Sequence, residues 1–448
     1  ILAQAALVQA LQLPANRNRL APRRRSRGPR SAVRGPAVKN DMRGLMLLAA
    51  AAAVLPSSAV AFKMKASSQL GTQHFLTAFH SYMATHQRTY AGAEMQMRME
   101  LFRQRLREVE AHNQRTDRLW TMGMNHFSDR TEAELAQLTG WRPVAVPATA
   151  KAASGSSTAK RSAEHSQFPK EFLNWTKLES SWHVVRQGDC GSCWAFASAG
   201  VLRAHSEIHR KHSRRSFSTQ ELLACVPNQM HCGGIGGCGG GTVELAFDWI
   251  DKHGVNIAEF APYTGQLGWS GVCLAPSTPL LLSRSQTKEE MERLFTPGMH
   301  EMRKLSPARG FGMVGWERLP VNSYAPLLRA VMEHGPVAVS VDANGWHHYQ
   351  GGVFDGCDKD AILSHAAVLY GWGVDADSKV KYWQFQNTWG ITWGEAGHIR
   401  VRMVDDEERH CGMDTAPQEG VGCDGGPDKV EVCGSCGVLY DSIVPIFA

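Results

Sequence analysis

Cysteine is absent from the first 189 of the 448 residues, and all eleven cysteines fall between Cys190 and Cys436. The front of the chain therefore has neither disulfides nor thiolate chemistry, whereas the rest has a cysteine density that suits an oxidising, secretory-route compartment. Acidic residues are nearly missing from residues 1–41, which carry nine Lys and Arg against one acid. No run is long and apolar enough to cross a bilayer, the stretch from Gly44 to Leu55 included. A membrane span is thus not expected.

With 43% hydrophobic and 20% charged residues, the chain is globular in composition and has room for two or three folded units. Its net charge of +6 averages two opposites. Residues 62–165 hold fourteen Lys and Arg against nine acids, and residues 166–448 hold twenty-four against thirty-two. An acidic main part argues against nucleic acid as a partner, while the basic segment before it permits attraction between the two.

Punctuation divides the chain further. Residues 1–41, Arg-rich and without a starting Met, are an upstream extension of doubtful status, untranslated or misassigned sequence before Met42; the alternative is an organellar transit extension. Residues 42–61 have the order of a signal peptide, with an Ala-x-Ala site ending at Ala61. Residues 70–142 form a helix-rich unit, in which Glu94, Arg98, Phe102, Val109 and Asn113 recur at steps of four or seven and share one helical face. Residues 143–165, small and polar with no apolar period, are a linker of the kind processing enzymes cut, which puts the mature N-terminus near Gln167. Residues 166–420 make the main domain, and 421–448 a Cys-containing tail.

The run Gln187-Gly188-Asp189-Cys190-Gly191-Ser192-Cys193-Trp194-Ala195-Phe196 carries the chemistry. A bare Cys-x-x-Cys also suits a redox pair or half a zinc site. Here no βαβ pattern surrounds it, and Cys193 opens a helix-compatible stretch, where unpaired N–H groups lower a thiol's pKa. This run resembles the active-site segment of the papain-like cysteine proteases. The helical periodicity of residues 85–118 and Gly123-x-Asn125-x-Phe127-x-Asp129 resemble the two prodomain motifs of the cathepsin L group, although Arg105 stands where Asn is usual.

The resemblance implies an α+β, two-part fold: a helical half with Cys193 and a β-barrel-like half with His365 and Asn387, preceded by an inhibitory helical prodomain. It implies a zymogen of a cysteine endopeptidase that needs no cofactor and no metal, acts on proteins and peptides, and has its own prodomain as inhibitor. Cys193 would be the nucleophile and His365, in Leu363-Ser364-His365-Ala366, its proton carrier. Asn387, in Asn387-Thr388-Trp389-Gly390, would orient the imidazole under the shield of Trp389, and Gln187 would supply an oxyanion donor. A catalytically silent homologue that binds peptides or stores protein is the alternative; four filled catalytic positions disfavour it. His365 follows Cys193 by 172 residues, more than the ~130–150 usual in the family. The surplus is expected in the Gly-rich loop at 227–237 and at 276–310.

By resemblance, Gly240 and Gly241 pair with substrate backbone, and Thr242, Val243, Ser340, Leu363, Ala366 and Ala416 surround the S2 pocket. Ala416 as an apolar floor implies apolar P2 residues. His347-His348 invite comparison with the cathepsin B occluding loop, but their place before Tyr349-Gln350-Gly351 matches the second half of the fold. The resemblance pairs Cys190 with Cys238, Cys225 with Cys273 and Cys357 with Cys411. Cys232, Cys423, Cys433 and Cys436 then allow three pairings, disulfides being favoured over zinc. Asn174-Trp175-Thr176 is a glycosylation sequon, and Asp405-Asp406-Glu407-Glu408 is expected to be a solvated turn. A monomer is expected, bound for a lysosome, a digestive vacuole or the exterior.

Overall fold

Aromatic residues on two successive helices make the first core. In the computed structural model, which describes residues 72–139, 168–210, 215–273 and 311–448, helix α1 (Thr72–Thr85) sets Phe75, Phe79 and Tyr82 against Phe102 and Leu106 of α2 (Gly92–Gln114). The upstream extension, the signal peptide, the 143–165 linker and the 276–310 insertion lie outside the described residues. Arg98 leaves α2 from a buried position and forks onto Glu134, with Nη1 at 2.5 Å and Nη2 at 2.7 Å, while Nη1 also donates to the Asp129 carbonyl. Burial alone would raise the Glu134 carboxyl, but Arg98 and Thr131 hold it at about 2. Glu134 also completes a capping box with Thr131 at the start of α3 (Glu132–Ala136).

This fork ties the helical pair to the segment that follows. Removing one partner of a buried ion pair leaves the other uncompensated, so Arg98→Ala is expected to cost the leader roughly 3 kcal/mol. The measurement is amide hydrogen exchange along α2 in the unprocessed chain, which should be faster in the variant than in the parent.

The helical half of the main domain is built on α5 (Cys193–His209), which follows the single turn α4 (Glu179–Trp182). Twelve of the seventeen residues of α5 are buried, because small side chains at Ala195, Ala197 and Ala199 let neighbours approach from several sides. Around it lie α6 (Thr219–Cys225) and α7 (Val243–His253), both with N-cap hydroxyls, Ser218 and Thr242, accepting from the backbone three residues on.

The second half is a sheet. Strand β1 (Trp120–Met122) belongs to the leader; β2 (Met313–Arg318), helix α8 (Tyr324–Glu333), β3 (Val337–Val341), β4 (Tyr349–Phe354), β5 (His365–Val374), β6 (Lys381–Gln386) and β7 (His398–Arg402) follow. Then come β8 (Cys411–Asp414), β9 (Val430–Cys433) and β10 (Ser442–Phe447). The order is β1-β4-β7-β6-β5-β3-β10-β2, with β8 and β9 paired separately. Apolar runs such as Val337–Val341 and His365–Gly373 are buried throughout, which places β3 and β5 at the centre of the core. Among the described residues no helix is long and apolar enough to cross a membrane.

Residues 421–448 are not a separate tail: β10 sits inside the large sheet between β3 and β2. The disulfides explain why the sequence misplaces it. Cys357, paired by resemblance with Cys411, is instead bonded to Cys436, while Cys411 is bonded to Cys433 and Cys232 to Cys423. Three Cys-Gly dipeptides, at 411, 433 and 436, compete for one partner. The β8–β9 register sets Cys411 opposite Cys433, and the Cys436 carbonyl accepts from the Asp342 amide, so Cys436 alone is left to Cys357. Cys190 is bonded to Cys238 and Cys225 to Cys273.

Residues 412–435 are therefore an excursion from the sheet. Its return is fixed by Glu407, which is buried and accepts from the Trp383 indole, the Val404 and Ser435 amides and the Ser435 hydroxyl. The expected solvated turn thus holds only for its exposed neighbours Asp405 and Asp406. Asn174 is exposed on a turn of 3₁₀ helix, Asn174–Lys177.

Candidate active site

Cys193 is the first residue of α5, where the unsatisfied N–H groups of the helix favour negative charge. It is the free cysteine among the described residues. Opposite, His365 opens β5, and its Nε2 donates to Asn387 Oδ1 at 2.8 Å from the segment after β6. With the proton on Nε2, Nδ1 is left as the basic nitrogen; among the described residues it has no hydrogen-bond partner. Trp389 lies over this bond, its ring 5.0 Å from that of His365, and is itself buried.

Gln187 stands beside them, its side chain fixed at both ends. Its Oε1 accepts from the Thr388 hydroxyl at 2.5 Å, and its Nε2 donates to the Cys190 carbonyl and to the Leu138 carbonyl, both at 2.7 Å. Tyr263 OH donates to the Gln187 carbonyl at 2.6 Å and meets the Ser192 hydroxyl at 2.8 Å. Leu138 belongs to the leader, so an amide aimed at the cleft holds a backbone oxygen of the chain's own N-terminal unit. Neither Leu138 nor Thr139 is marked in the sequence by any motif.

The leader covers the other end of the cleft as well. Phe127 stands edge-on to Trp389 at 5.4 Å, and His347 stacks on the same indole at 4.9 Å and 9°. Asn125 Nδ2 donates to the His347 carbonyl at 2.7 Å, and Gly123 N to the His348 carbonyl at 2.9 Å. Strand β1 pairs antiparallel with β4, and a side chain at Gly352, where φ is +97°, would strike the Leu119 carbonyl. That glycine is what lets the leader strand approach. Arg130 adds a pair to Asp189 at 2.8 Å.

Burial sets the protonation of the pair. It pushes the Cys193 thiol up to about 11, against the lowering effect of backbone N–H groups at Ala366, Trp194 and Cys193 itself. It pulls the His365 imidazole down to about 4 despite the Asn387 bond. Between those values both groups are neutral. The closed arrangement is thus silent in charge as well as in access.

Cys193 and His365 line one narrow pocket, which reaches past Val243, Leu363 and Ala366. Thr242, Ser340 and Gly241 line it too, together with Thr139 of the leader. Gly240, at φ +96°, adjoins it with its backbone. A side chain at Gly241 would collide with the Trp194 ring. Ala416 is not among its lining residues: Glu419, Gly420 and Val421 take that wall, and Gly233 joins them. Beneath Ser340 lies Asp441, fully buried, accepting from the Ser340 hydroxyl at 2.5 Å and paired with Arg318 at 3.0 Å. The place of Asp441 follows from the disulfides, since the stretch after Cys436, not that after Cys411, returns beneath Ser340. The Cys436-Gly437 dipeptide was the signal in the sequence. Among the described residues no cluster of His, Cys, Asp and Glu is suited to a metal.

A thiol at a helix start, an imidazole held by an amide and a blocking N-terminal unit define a cysteine peptidase made as an inhibited precursor. Residues 169–421 match the papain family of cysteine proteases, and residues 79–135 match the cathepsin propeptide inhibitor domain I29. The chain belongs to the papain family of cysteine proteases. It is 30% identical over 345 residues to fruit bromelain of Ananas comosus, covering 76% of this chain and 84% of that one. It is 29% identical to cathepsin L 2 of Paramecium tetraurelia, over 76% and 90%, and 28% identical to cathepsin K of Mus musculus, over 79% and 94%. A stem bromelain precursor superposes with a TM-score of 0.58 at 25% identity, covering 83% of this chain and 99% of that one. Digestive procathepsin L 3 of Tenebrio molitor larval midgut shares the fold, with a TM-score of 0.57 at 22% identity over 83% and 99%.

Proposed function

We propose that the mature protein is an endopeptidase working through a Cys193 thiolate and a His365 imidazolium, with Asn387 as orienting residue and Gln187 as oxyanion donor. The observation that carries this reading is the His365–Asn387 bond, which leaves Nδ1 as the base of an imidazole that lines the same pocket as the helix-start thiol. When the leader departs, water reaches the pair, the cost of charge falls, and a proton moves from Sγ to Nδ1. The thiolate adds to the scissile carbonyl carbon, and charge develops on its oxygen where Gln187 Nε2 and the Cys193 N–H donate. The imidazolium then protonates the leaving amine as the C–N bond breaks. Water, deprotonated by the neutral imidazole, releases the acid from the thioester.

The donor test is Gln187→Ala. Loss of one oxyanion donor should lower kcat by about 10²–10³ with little change in KM, read on the matured enzyme with a fluorogenic peptide; a KM effect alone would count against the role.

Val243, Leu363 and Ala366 give the pocket apolar walls, and Asp441 behind Ser340 is already occupied by Ser340 and Arg318. We therefore assign a preference for apolar P2 residues, which faster hydrolysis of Arg-Arg than of Phe-Arg reporters would overturn. Residues 42–61 serve as a secretory signal, 70–142 as the inhibitory prodomain and 143–165 as the processed linker, in a monomer that the five disulfides suit to an oxidising compartment such as a lysosome, a vacuole or the exterior. Asn174, exposed in its sequon, accepts glycan there.

A further inference from the structure

The Gly-rich loop of the helical half crosses to the excursion of the β half. Cys232 is bonded to Cys423, the Gly233 amide donates to the Gly422 carbonyl at 3.0 Å, the Asp424 amide donates to the Met230 carbonyl at 2.8 Å, and His231 Nδ1 meets Asp424 at 2.7 Å. A disulfide, two backbone bonds and a side-chain contact thus join the two halves in a strap. The strap and its approach supply one wall of the pocket that holds Cys193 and His365, through Gly233, Glu419, Gly420 and Val421.

Glu419 is the charged group on that wall. Its side chain is exposed and has no hydrogen bond or ion pair among the described residues, whereas the neighbouring carboxylates are engaged: Asp424 by His231, Asp414 by the Ala416 amide, and Asp441 by Ser340 and Arg318. The backbone on either side is held, with the Glu419 amide donating to the Ala416 carbonyl and Gly422 to the Pro417 carbonyl. A carboxylate on a fixed backbone, the one acidic side chain among the residues lining this pocket, recognises a cation.

We propose that Glu419, exposed at the edge of the pocket that it shares with Val243, Leu363 and Ala366, binds an ammonium or guanidinium group of the substrate on the N-terminal side of the scissile bond. Two parts of a peptide carry that chemistry there: the free α-amine of the P2 residue itself, or a Lys or Arg side chain at P3. This inference rests on the peptidase reading above, and it adds a charge requirement to it. In the first case the strap makes the enzyme trim dipeptides from free N-termini; in the second it remains an endopeptidase with a basic P3 preference.

The test uses the matured enzyme and four reporters with one common apolar P2 and one P1 residue. The first pair is a dipeptide with a free amine and the same dipeptide N-acetylated. The second is an N-acetylated tripeptide with Lys at P3 and its Gln counterpart. One cationic member should exceed its neutral partner in kcat/KM by about fivefold or more, the scale of a partly solvated charge pair, and that ratio should fall to about one in Glu419→Gln. A ratio above one only in the first pair identifies the α-amine; a ratio above one only in the second identifies the side chain. Ratios near one in both pairs, or ratios that Glu419→Gln leaves unchanged, overturn the proposal while leaving the peptidase reading intact. Failure to hydrolyse all four, with Cys193 unlabelled by an epoxide inhibitor, overturns both.

Discussion

Cys193→Ser should lower kcat/KM for peptide hydrolysis by at least about 10⁴-fold, in line with the loss of a nucleophile from a concerted catalytic unit. The substitution changes one buried atom for another of similar size, so the helix start and the His365–Asn387 bond persist. What changes is the acidity of the nucleophile. A thiol beside an imidazole at a helix N-terminus can surrender its proton before substrate arrives, whereas a hydroxyl must be deprotonated during attack, by a base that an amide orients but does not charge. The measurement is kcat/KM of the externally matured variant on a fluorogenic peptide, with its thermal midpoint as a folding control. Hydrolysis at the parental rate by a folded Cys193→Ser enzyme would remove thiolate catalysis from consideration.

Acidification should open the proenzyme by on the order of 10²–10³ between pH 6.5 and pH 5, with His347 and His348 responsible. Burial pulls His347 down to about 3, with His348, His365 and Arg105 adding to the shift and the Leu135 backbone opposing it. Burial likewise takes His348 down to about 4, with Arg105 adding and Glu108 and the Gly123 backbone opposing. Arg105, Glu108, Gly123 and Leu135 all belong to the leader, and its departure is expected to relieve part of the burial that lowers both groups.

A histidine whose closed-form pKa lies below its free value favours closure fully above about 6.5 and loses that contribution as pH falls toward the closed-form value. The loss is up to about tenfold per pH unit for each group. Glu134, held at about 2, stays ionised through this window, so the Arg98 fork is not the trigger. Hydrogen exchange at Trp120–Met122 in the Cys193→Ser proenzyme, which cannot process itself, reads the opening directly once intrinsic rates are divided out. The double variant His347→Gln with His348→Gln should flatten the dependence. Opening that ignores pH between about 6.5 and 4.5 would assign the trigger elsewhere.

Local order carried the chemistry in this chain. A thiol needs a helix start, so Cys193 had to be followed by helix-compatible residues; an oriented imidazole needs an amide, and Asn387 stands before the tryptophan that shields it. Such demands are met within a few residues, and they are visible in sequence. The prodomain was visible through its resemblance to two family motifs, each carried by residues close together in the chain, Glu94 to Asn113 on one helical face and Gly123 to Asp129 after it. The pocket's far wall was not. Ala416 and the Cys357–Cys411 pairing were carried over by resemblance, which does not distinguish Cys411-Gly412 from Cys436-Gly437 when an excursion lies between them.

The amino-acid order alone determined the class of reaction, the groups proposed to perform it and the presence of a blocking leader, since each depends on neighbours close in the chain. Only the tertiary structure decided which cysteines meet, that Asp441 rather than Ala416 lies under Ser340, that Leu138 engages Gln187, and that Glu419 borders the cleft. Those are contacts between residues far apart in sequence, and the β8–β9 register, a property of two strands together, fixes the return of the chain that makes them.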